Sequence, residues 1–434
     1  MKTKRALRFL SVLSIVLLPF IFFHKSANPA FWIWSAHYLF FIILYAGFLA
    51  LSLFCYLRLS VLGKRFCVYI LCVYIAGFFL ADFIVGSVNY YANVPILLHP
   101  VYHHITSPGK YKVSWPEGVS LIKKLDFSVS SAGLRSRGEI PMVKEENTFR
   151  ILVLGDSFVL GVGVSDDETL CYLLERDLND SLKKGKRYEV INAGVGSYVP
   201  LLEYLYFKTD GIKFDPDMVI LFFDMGDLWQ TQEYLRKAIM DKDGNVVRVV
   251  HKISVWNDIY AFIRARFYFL SHFIGKAEGV IKRELNKGGP GLWGVNTSLL
   301  EFTLNTDQSR WDKEWQRIYA DIGLVKDFCE ERGIEFAAVI YPWGHQVNGR
   351  EWADGRQACG IPLGYTAPPD LSYMLEEKLQ NMDISVLNLF PAFRNYKGED
   401  MLYYRKDLHW TRCGHRFAAE QLFNFIKDSR INKE

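Results

Sequence analysis

The chain has 434 residues, a formal net charge of +4 and a mean hydropathy of +0.05. It is long enough for a membrane region and one sizeable globular domain. The weak net charge, without a basic cluster interleaved with aromatic residues, argues against a nucleic-acid partner. The seven Cys show no C-x-x-C spacing, which argues against a metal site and leaves any disulfide pairing open. The sequence contains no cofactor motif.

Residues 1–88 contain three apolar runs of membrane-spanning length, at 6–23, 31–56 and 66–88. Basic residues precede the first run and fill the loop between the second and third. The positive-inside rule therefore places the N-terminus in the cytoplasm and the rest of the chain outside, tethered to the lipid bilayer of the cell membrane. A cleaved signal peptide is the alternative for the first run, because it has a basic start and a short apolar core. Either topology makes the globular part extracytoplasmic.

Residues 89–149 are predicted to be an irregular lead-in arm, because they contain several Pro and Gly. The last part of the arm, at 126–135, has the pattern of an extended segment that ends in a turn.

From residue 150 to 434 the pattern alternates between strands and helices, which is typical of a parallel sheet covered by helices. A segment at about 229–310 interrupts this alternation and is predicted to be an insertion that covers or flanks the site, helical in its middle at 253–285. The fold class is therefore α/β, a three-layer α/β/α domain with a mostly parallel central sheet. Its predicted elements are strand Ile151–Leu154, a helix opened by a capping box at Ser165–Glu168, strand Tyr188–Ile191, helix 199–209, strand Met218–Phe223, helix 311–332, strand Glu335–Tyr341, helix 370–381, strand Ser385–Leu389 and a last helix capped by Thr411.

A serine stands where the first strand of this domain ends, in Gly155-Asp156-Ser157. The carboxyl edge of a parallel sheet is where α/β folds place their chemistry, but a serine needs a base and a carboxylate to act as a nucleophile. The segment Asp407-Leu-His409 offers both. In an extended segment their side chains, two residues apart, point to the same side.

These residues resemble motifs of the SGNH (GDSL-like) hydrolase superfamily, over about 126–427. Gly155-Asp-Ser157 is similar to its first block, Asn192-Ala-Gly194 to its second, and Asp407 to His415 to its last. The resemblance implies an SGNH, flavodoxin-like fold with Ser157 as nucleophile, His409 as general base and acid, and Asp407 as the residue that orients the imidazole. It also implies that the N–H groups of Ser157 and Gly194 stabilise the oxyanion. A tight turn is the alternative role for Gly194.

The third block departs from the family pattern Gly-x-Asn-Asp, since the matching residues here are Asp224-Met-Gly226-Asp227. Gly226 stands where the Asn side chain would donate to the oxyanion, so a backbone N–H at Gly226 or another side chain would have to replace that donor. Asp224 and Asp227 follow a strand that should end beside Ser157. They are predicted either to contact the substrate or to cap the next helix.

Further candidates for substrate contact lie at another strand end and beside the catalytic histidine. His345, with Trp343, follows the strand that ends at Tyr341, and Trp410 could stack on a sugar ring. Core packing is the alternative role for each of them.

The sequence therefore predicts a membrane-tethered, extracytoplasmic serine esterase or O-acyltransferase. Its predicted substrates are acyl esters, foremost acetyl esters, of a carbohydrate or cell-envelope polymer. The alternative is a catalytically weak or inactive SGNH-like protein that binds or assembles glycans. The sequence does not predict the oligomeric state.

Overall fold

The computed structural model describes residues 79, 80, 82, 94, 96–117, 121–181, 185–251, 297–304, 307, 309–365, 367 and 370–431. The chain divides into two compact units. The larger unit contains the α/β domain and consists of Asn93–Val113, Leu125–Ile253 and Ile281–Glu434. The smaller unit, described only in part, consists of Met1–Ala92, Ser114–Lys124 and Ser254–Val280.

No helix in the described part of the chain is long and apolar enough to cross a membrane. The runs predicted to be membrane spans, at 6–23, 31–56 and 66–88, lie outside the described residues except for 79, 80 and 82. The helical pattern at 253–285 also lies outside them. The membrane helices and the domain limits at 88 and 149 stay predictions.

A parallel sheet forms the centre of the larger unit, and two-stranded sheets account for the other strands of the described residues. The strands, in chain order, are β1 Ile96–His99, β2 His103–Thr106, β3 Gly109–Glu117, β4 Leu121–Val129, β5 Thr148–Gly155, β6 Arg187–Gly194, β7 Met218–Phe223, β8 Ala238–Met240, β9 Val246–Val249, β10 Glu335–Ile340 and β11 Ser385–Asn388.

The central sheet has five strands in the order β11-β10-β7-β5-β6, and all neighbours are parallel. This confirms the predicted parallel sheet. Strand β5, the first of this sheet in the chain, lies between β6 and β7. The chain adds β6 on one side of β5 and then crosses over to add β7 on the other side. Ligand sites of open α/β sheets form at such a switch point, beyond the carboxyl ends of the strands.

Helices cover both faces of the sheet. Those in the described residues are α1 Ser157–Leu160, α2 Leu170–Ser181, α3 Pro200–Thr209, α4 Asp227–Leu235, α5 Thr297–Leu304, α6 Asp312–Glu330, α7 Gly344–Val347, α8 Ala353–Ala358, α9 Asp370–Gln380, α10 Phe390–Asn395 and α11 Arg412–Ile431.

Strand β5 shows how the layers are joined. All eight of its residues are buried, as expected of a strand covered on both faces. Ile151 and Val153 pack into one apolar core with residues of α2 and α11. Leu152 and Leu154, which point the opposite way, pack into a second core with residues of α3 and α6. The two cores establish the three-layer arrangement, and each fully buried aliphatic side chain stabilises it by roughly 1.5–3 kcal/mol.

The expectation of an irregular lead-in is wrong for the described residues of 96–129, which contain the strands β1 to β4, whereas 130–147 contain turns and bends and no strand. Pro116 lies within β3, and a proline inside a run of residues argues against predicting a strand there. A two-stranded sheet has only edge strands, where a residue without an N–H is tolerated. The predicted turn after the extended arm is present, because Ser130 donates its N–H to the carbonyl of Leu134 at 2.9 Å.

The starts of two helices test the capping predictions. The N–H of Ser165 donates to Glu168 at 3.0 Å, but this capping box opens a 3₁₀ turn at Asp166–Glu168, and α2 begins only at Leu170. Thr411 caps α11 as predicted, since its hydroxyl accepts the N–H groups of Cys413 and Gly414 at 3.1 and 3.2 Å.

Candidate active site

Ser157 is placed by a sharp turn from β5 into the short helix α1. Asp156 caps this helix, because its side chain accepts the N–H of Phe158 at 2.8 Å. Ser157 is the first residue of α1, a position whose N–H has no partner inside the helix. The turn therefore sets the serine hydroxyl and an N–H donor next to each other at the edge of the sheet.

Gly194 lies beside this turn at the end of β6, paired in register with Gly155. A Cβ at Gly194 would lie 2.3 Å from the backbone nitrogen of Leu160, so the close approach of α1 requires glycine here. The N–H of Gly194 donates to Asn192 Oδ1 at 3.0 Å. The packing role of Gly194 is thus visible, whereas its role as an oxyanion donor stays a prediction.

The structure brings Asp407, His409 and Ser157 into one hydrogen-bonded line. His409 Nε2 lies 2.7 Å from Ser157 Oγ, and His409 Nδ1 lies 2.5 Å from Asp407 Oδ1. With Nδ1 carrying the proton, the imidazole donates to Asp407 and accepts the proton of the serine hydroxyl. A nucleophile, a base and an orienting carboxylate in this sequence of contacts are what acyl transfer by a serine requires.

The local geometry of this loop differs from the expected extended segment. Residues 405–409 form bends, and Asp407 Oδ1 also accepts the backbone N–H of His409 at 2.9 Å. One carboxylate oxygen therefore fixes both the backbone and the ring of the histidine. A bridge between Tyr403 and Trp410 closes the base of the loop, and the hydroxyl of Tyr404 donates to the carbonyl of Gly163 at 2.6 Å.

The electrostatics of the pair suit a base held ready for protonation. Burial would lower the pKa of His409, but the charge and hydrogen bond of Asp407 outweigh it and, with the charges of Asp156 and Asp224, raise that pKa above its ordinary value. Burial would raise the pKa of Asp407, yet His409 keeps it below its ordinary value. Asp407 therefore stays ionised over the pH range in which His409 gains or loses its proton.

Gly226, predicted as a candidate oxyanion donor, uses its N–H locally, because it donates to Asp224 Oδ1 at 2.5 Å. A Cβ at Gly226 would lie 2.8 Å from that same oxygen and 2.9 Å from the ring of Trp343. The indole of Trp343 donates to Asp224 Oδ2 at 3.0 Å and is thereby fixed in place. The space that the family's Asn would need is filled by this tryptophan.

Asp224 and Asp227 are buried, with exposed fractions of 5% and 4%, so the predicted substrate contacts are corrected to internal roles. Asp227 is the first residue of α4 and accepts the N–H of Asp224, which precedes the helix, at 3.3 Å, so this contact does not cap α4. Burial and the neighbouring carboxyls of Asp224, Glu203 and Asp156 raise the pKa of Asp227 well above its ordinary value.

His345 and Trp410 are also corrected from substrate contacts to core residues, because neither has any exposed surface. His345 shares a hydrogen bond of 2.8 Å with the hydroxyl of Thr303, and burial, aided by Arg356, lowers its pKa to about 3. Trp410 packs its ring against Phe158, Tyr341, Phe393 and His415.

The sequence interpretation missed two residues that organise this edge. Arg135, almost fully buried, donates to the carbonyls of Leu160, Gly161 and Val164 and pairs with Asp166. It fixes the segment after α1, and nothing in its sequence surroundings indicated that contact. Tyr341 joins Asp156 to Asp224, and its place at the end of β10 could have indicated a position beside Ser157.

Among the described residues, no group of three or more His, Cys, Asp or Glu could hold a metal ion.

Part of the chain matches a known sequence family. Residues 304–434, less than half of the chain, match the family described as ALGX, the SGNH hydrolase-like domain of the acetyltransferase AlgX. The matched segment includes Asp407 and His409 but not Ser157. The predicted SGNH-type enzyme acting on ester bonds is confirmed. No curated protein matches the chain.

Solved structures similar to the chain include an acetyl xylan esterase, with 16% identity and a TM-score of 0.32, covering 64% of this chain and 98% of the esterase. A lipase/acylhydrolase from Enterococcus faecalis has 13% identity and a TM-score of 0.31, covering 65% of this chain and 96% of that one. A two-domain esterase active on acetylated mannans has 13% identity and a TM-score of 0.31, and the match covers 65% of this chain and 49% of the esterase. At these values the similarities support no further inference.

Proposed function

We propose that the chain is a membrane-tethered, extracytoplasmic serine esterase or O-acyltransferase that acts on acetyl esters of a carbohydrate or cell-envelope polymer. The observation that carries the proposal is the line of contacts from Ser157 Oγ through His409 to Asp407, at 2.7 and 2.5 Å. The match of residues 304–434 to the domain of an acetyltransferase supports acetyl as the group transferred.

In the first half-reaction, His409 Nε2 takes the hydroxyl proton as Ser157 Oγ attacks the acyl carbon. The tetrahedral intermediate collapses when the alcohol oxygen leaves and accepts the proton from His409. Ser157 then carries the acyl group as an ester. The N–H of Ser157, at the start of α1, is proposed to donate to the oxyanion.

The second half-reaction decides between the two activities. His409 removes a proton from an acceptor, which attacks the acyl-enzyme and receives the acyl group, while Ser157 regains its proton. With water as acceptor the products are a free acid and the resting enzyme, and the protein is an esterase. With a sugar hydroxyl the product is a new sugar ester, and the protein is a transferase.

Membrane tethering is supported by the three apolar runs before residue 89 and by the basic residues that flank them. We expect protease added to sealed, right-side-out membrane vesicles to degrade the domain that contains Ser157. Protection of that domain until detergent is added would contradict the proposed orientation.

The nucleophile can be tested with a fluorophosphonate probe on the full-length chain. The wild type is expected to be labelled and Ser157→Ala to remain unlabelled, because the probe forms a bond only with an activated serine oxygen. Ser165→Ala is a matched control on a capping serine and should be labelled like the wild type. Equal labelling of Ser157→Ala would refute the assignment.

Hydrolysis and transfer can be separated by following acetyl from an aryl acetate with and without an oligosaccharide acceptor. A transferase is expected to form acetylated oligosaccharide and to release less free acetate when the acceptor is present. Acetate released at the same rate in both conditions, without an acetylated sugar, leaves the esterase as the activity.

One observation favours the second candidate, a catalytically weak protein that binds glycans. The N–H groups of Gly194 and Gly226, both predicted oxyanion donors, donate to Asn192 and Asp224. Loss of one such donor typically costs roughly 10²–10³ in kcat. A chain that binds acetylated oligosaccharides but shows no Ser157-dependent turnover would support this candidate over the enzyme.

A further inference from the structure

Tyr341 joins two carboxyls beneath the nucleophile. It directly follows β10 and is almost fully buried. Its hydroxyl oxygen lies 3.1 Å from Asp156 Oδ1 and 3.0 Å from Asp224 Oδ2. The same Asp156 precedes Ser157, and its other oxygen, Oδ2, lies 3.4 Å from Ser157 Oγ. The tyrosine thus links the nucleophile's neighbour to the end of β7.

The number of protons in this bridge limits its charge. A phenol has one proton and can donate to only one of the two carboxyls. If both were ionised, the second contact would set an anionic oxygen against a lone pair of the phenol, away from bulk water. Both contacts become hydrogen bonds when one carboxyl keeps its proton and donates it to the phenol oxygen. The bridge is therefore satisfied when the pair has a single negative charge.

The remaining partners decide which carboxyl has the charge. Outside the bridge, Asp224 accepts two short hydrogen bonds, from the N–H of Gly226 and the indole of Trp343. Asp156 accepts one firm hydrogen bond from outside the bridge, from the N–H of Phe158. Because hydrogen bonds to the charged form stabilise it, the charge belongs to Asp224 and the proton to Asp156.

We propose that Tyr341 is a positioning residue that makes Asp156 and Asp224 share one negative charge and so keeps the carboxyl beside Ser157 neutral. This inference rests on the proposed serine chemistry. The proton then lies on Asp156, which donates to Tyr341, and Tyr341 donates to the ionised Asp224.

The surroundings of Asp156 agree with this assignment. Burial and the charge of Asp224 raise the pKa of Asp156 to about 7, against the lowering effects of the N–H of Phe158 and of His409. A Tyr341 hydroxyl that donated to Asp156 would lower this pKa too, but in the proposed bridge it donates to Asp224. Glu203 and Asp227, both buried, face the pair as well, and their own pKa values are raised well above normal. Within the described residues, no Arg or Lys forms an ion pair with Asp156, Asp224, Asp227 or Glu203.

A neutral Asp156 favours the proposed reaction in two ways. An ionised Oδ2 would compete with His409 Nε2 for the hydroxyl proton of Ser157. It would also add a negative charge where the tetrahedral intermediate develops its own. We therefore expect the activity to fall on the alkaline side as Asp156 ionises.

The test is the pH profile of kcat/KM for 4-nitrophenyl acetate, measured on the full-length chain. The wild type should lose activity as the pH rises above about 7. In Asp156→Asn, which cannot ionise, this alkaline loss should disappear. In Tyr341→Phe the alkaline loss should begin at a lower pH. The phenol makes two hydrogen bonds when the pair of carboxyls has one negative charge and only one when it has two. Its removal therefore destabilises the singly charged pair more.

The same variants separate positioning from general packing. We expect Tyr341→Phe to lower kcat roughly tenfold, about the effect of one hydrogen bond, with KM nearly unchanged. Tyr198→Phe is the matched control, since its buried hydroxyl donates to the carbonyl of His104 and touches neither carboxyl. Its pH profile should match the wild type. An unchanged alkaline loss in Asp156→Asn, or an unchanged profile in Tyr341→Phe, would overturn the proposal.

Infrared spectroscopy tests the protonation of Asp156 independently of activity. The spectrum of the wild type minus that of Asp156→Asn should contain the C=O band of a protonated carboxyl at about pH 6, and the band should vanish as the pH rises through about 7. Absence of the band refutes the shared charge. If the band is present but no turnover depends on Ser157, the proposed function fails and the proton assignment stands.

Discussion

Ser157 lies near one carboxyl on a loop and near a cluster of buried carboxyls, and the surroundings of the two differ. Asp407 lies on the loop 403–410 with 41% of its side chain exposed and contacts His409. The other group, the carboxyl layer, consists of Asp156, Asp224, Asp227 and Glu203, which lie close to one another under the strand ends. The pKa of Asp407 is lowered, whereas burial raises the pKa values in the layer, and repulsion from neighbouring carboxyls adds to it at Asp156, Asp227 and Glu203. The partner, more than the residue type, decides which carboxyl has a charge.

Three histidines extend the comparison. The pKa of His409 is raised because Asp407 faces it. Burial lowers the pKa values of His345 and His415 to about 3, and neither faces a carboxylate. His415 lies in the same sequence block as His409, yet its Nδ1 only accepts the N–H of Leu170 at 3.3 Å. Of these three histidines, the one with a carboxylate partner is the one in contact with Ser157.

The largest effect is expected from removing the charge of Asp407. Asp407→Asn should lower kcat/KM by roughly three to four orders of magnitude, because the imidazole loses its orientation and its counter-charge. The pKa of His409 should also fall, so the acid limb of the pH profile should move to lower pH. Asp354→Asn, which removes an exposed partner of Arg405 near the same loop, is the control and should leave both unchanged. An acid limb that stays in place would contradict the role of Asp407.

The next effect concerns the carboxyl layer. Glu203 has no exposed surface, and burial raises its pKa well above the ordinary 4.5. Above that pH the unfolded chain releases a proton that the folded chain keeps, so the free energy of unfolding should fall as the pH rises. Glu203→Gln removes this contribution, worth up to about 1.4 kcal/mol per pH unit. Urea unfolding at a series of pH values would show it, and parallel curves for the two proteins would refute a neutral Glu203.

The smallest expected effect concerns the contact between Gly226 and the layer. Gly226→Ala places a methyl group against Asp224 and Trp343, which are joined by a hydrogen bond. The substitution should therefore destabilise the fold by about 1–3 kcal/mol. Gly138→Ala, where a Cβ meets nothing within 4 Å, is the control and should change stability by less than about 0.5 kcal/mol. Equal unfolding midpoints of the two variants would show that Trp343 can move aside.

The sequence predicted the parallel sheet and the edge at which Ser157 lies, because strand periodicity and strand ends are local properties. It also led to Asp407 and His409, whose roles were implied by the family resemblance. The predicted backbone conformation of this segment was wrong. A bend fixed by the side chain of Asp407, and not an extended segment, brings Asp407 and His409 together.

The depth of the other candidates could not be predicted in this way. A position after a strand indicates the edge of the sheet but not how far a side chain lies below the surface. Asp224, His345 and Trp410 are buried because residues distant in the chain cover them. The contact of Trp343 with Asp224, for example, joins positions 119 residues apart. The bridge of Tyr341 depends on two such contacts at once.

The contact between Ser157 and His409 spans 252 residues of chain. It forms only after the loop 403–410 has docked, and that loop leads into α11, which packs on α2. During synthesis Ser157 therefore leaves the ribosome without its base, long before His409 does. A chain interrupted before this loop would have the nucleophile and all five strands of the central sheet but no base to activate the serine. Acyl transfer thus begins only when the domain has been made as far as its last helix.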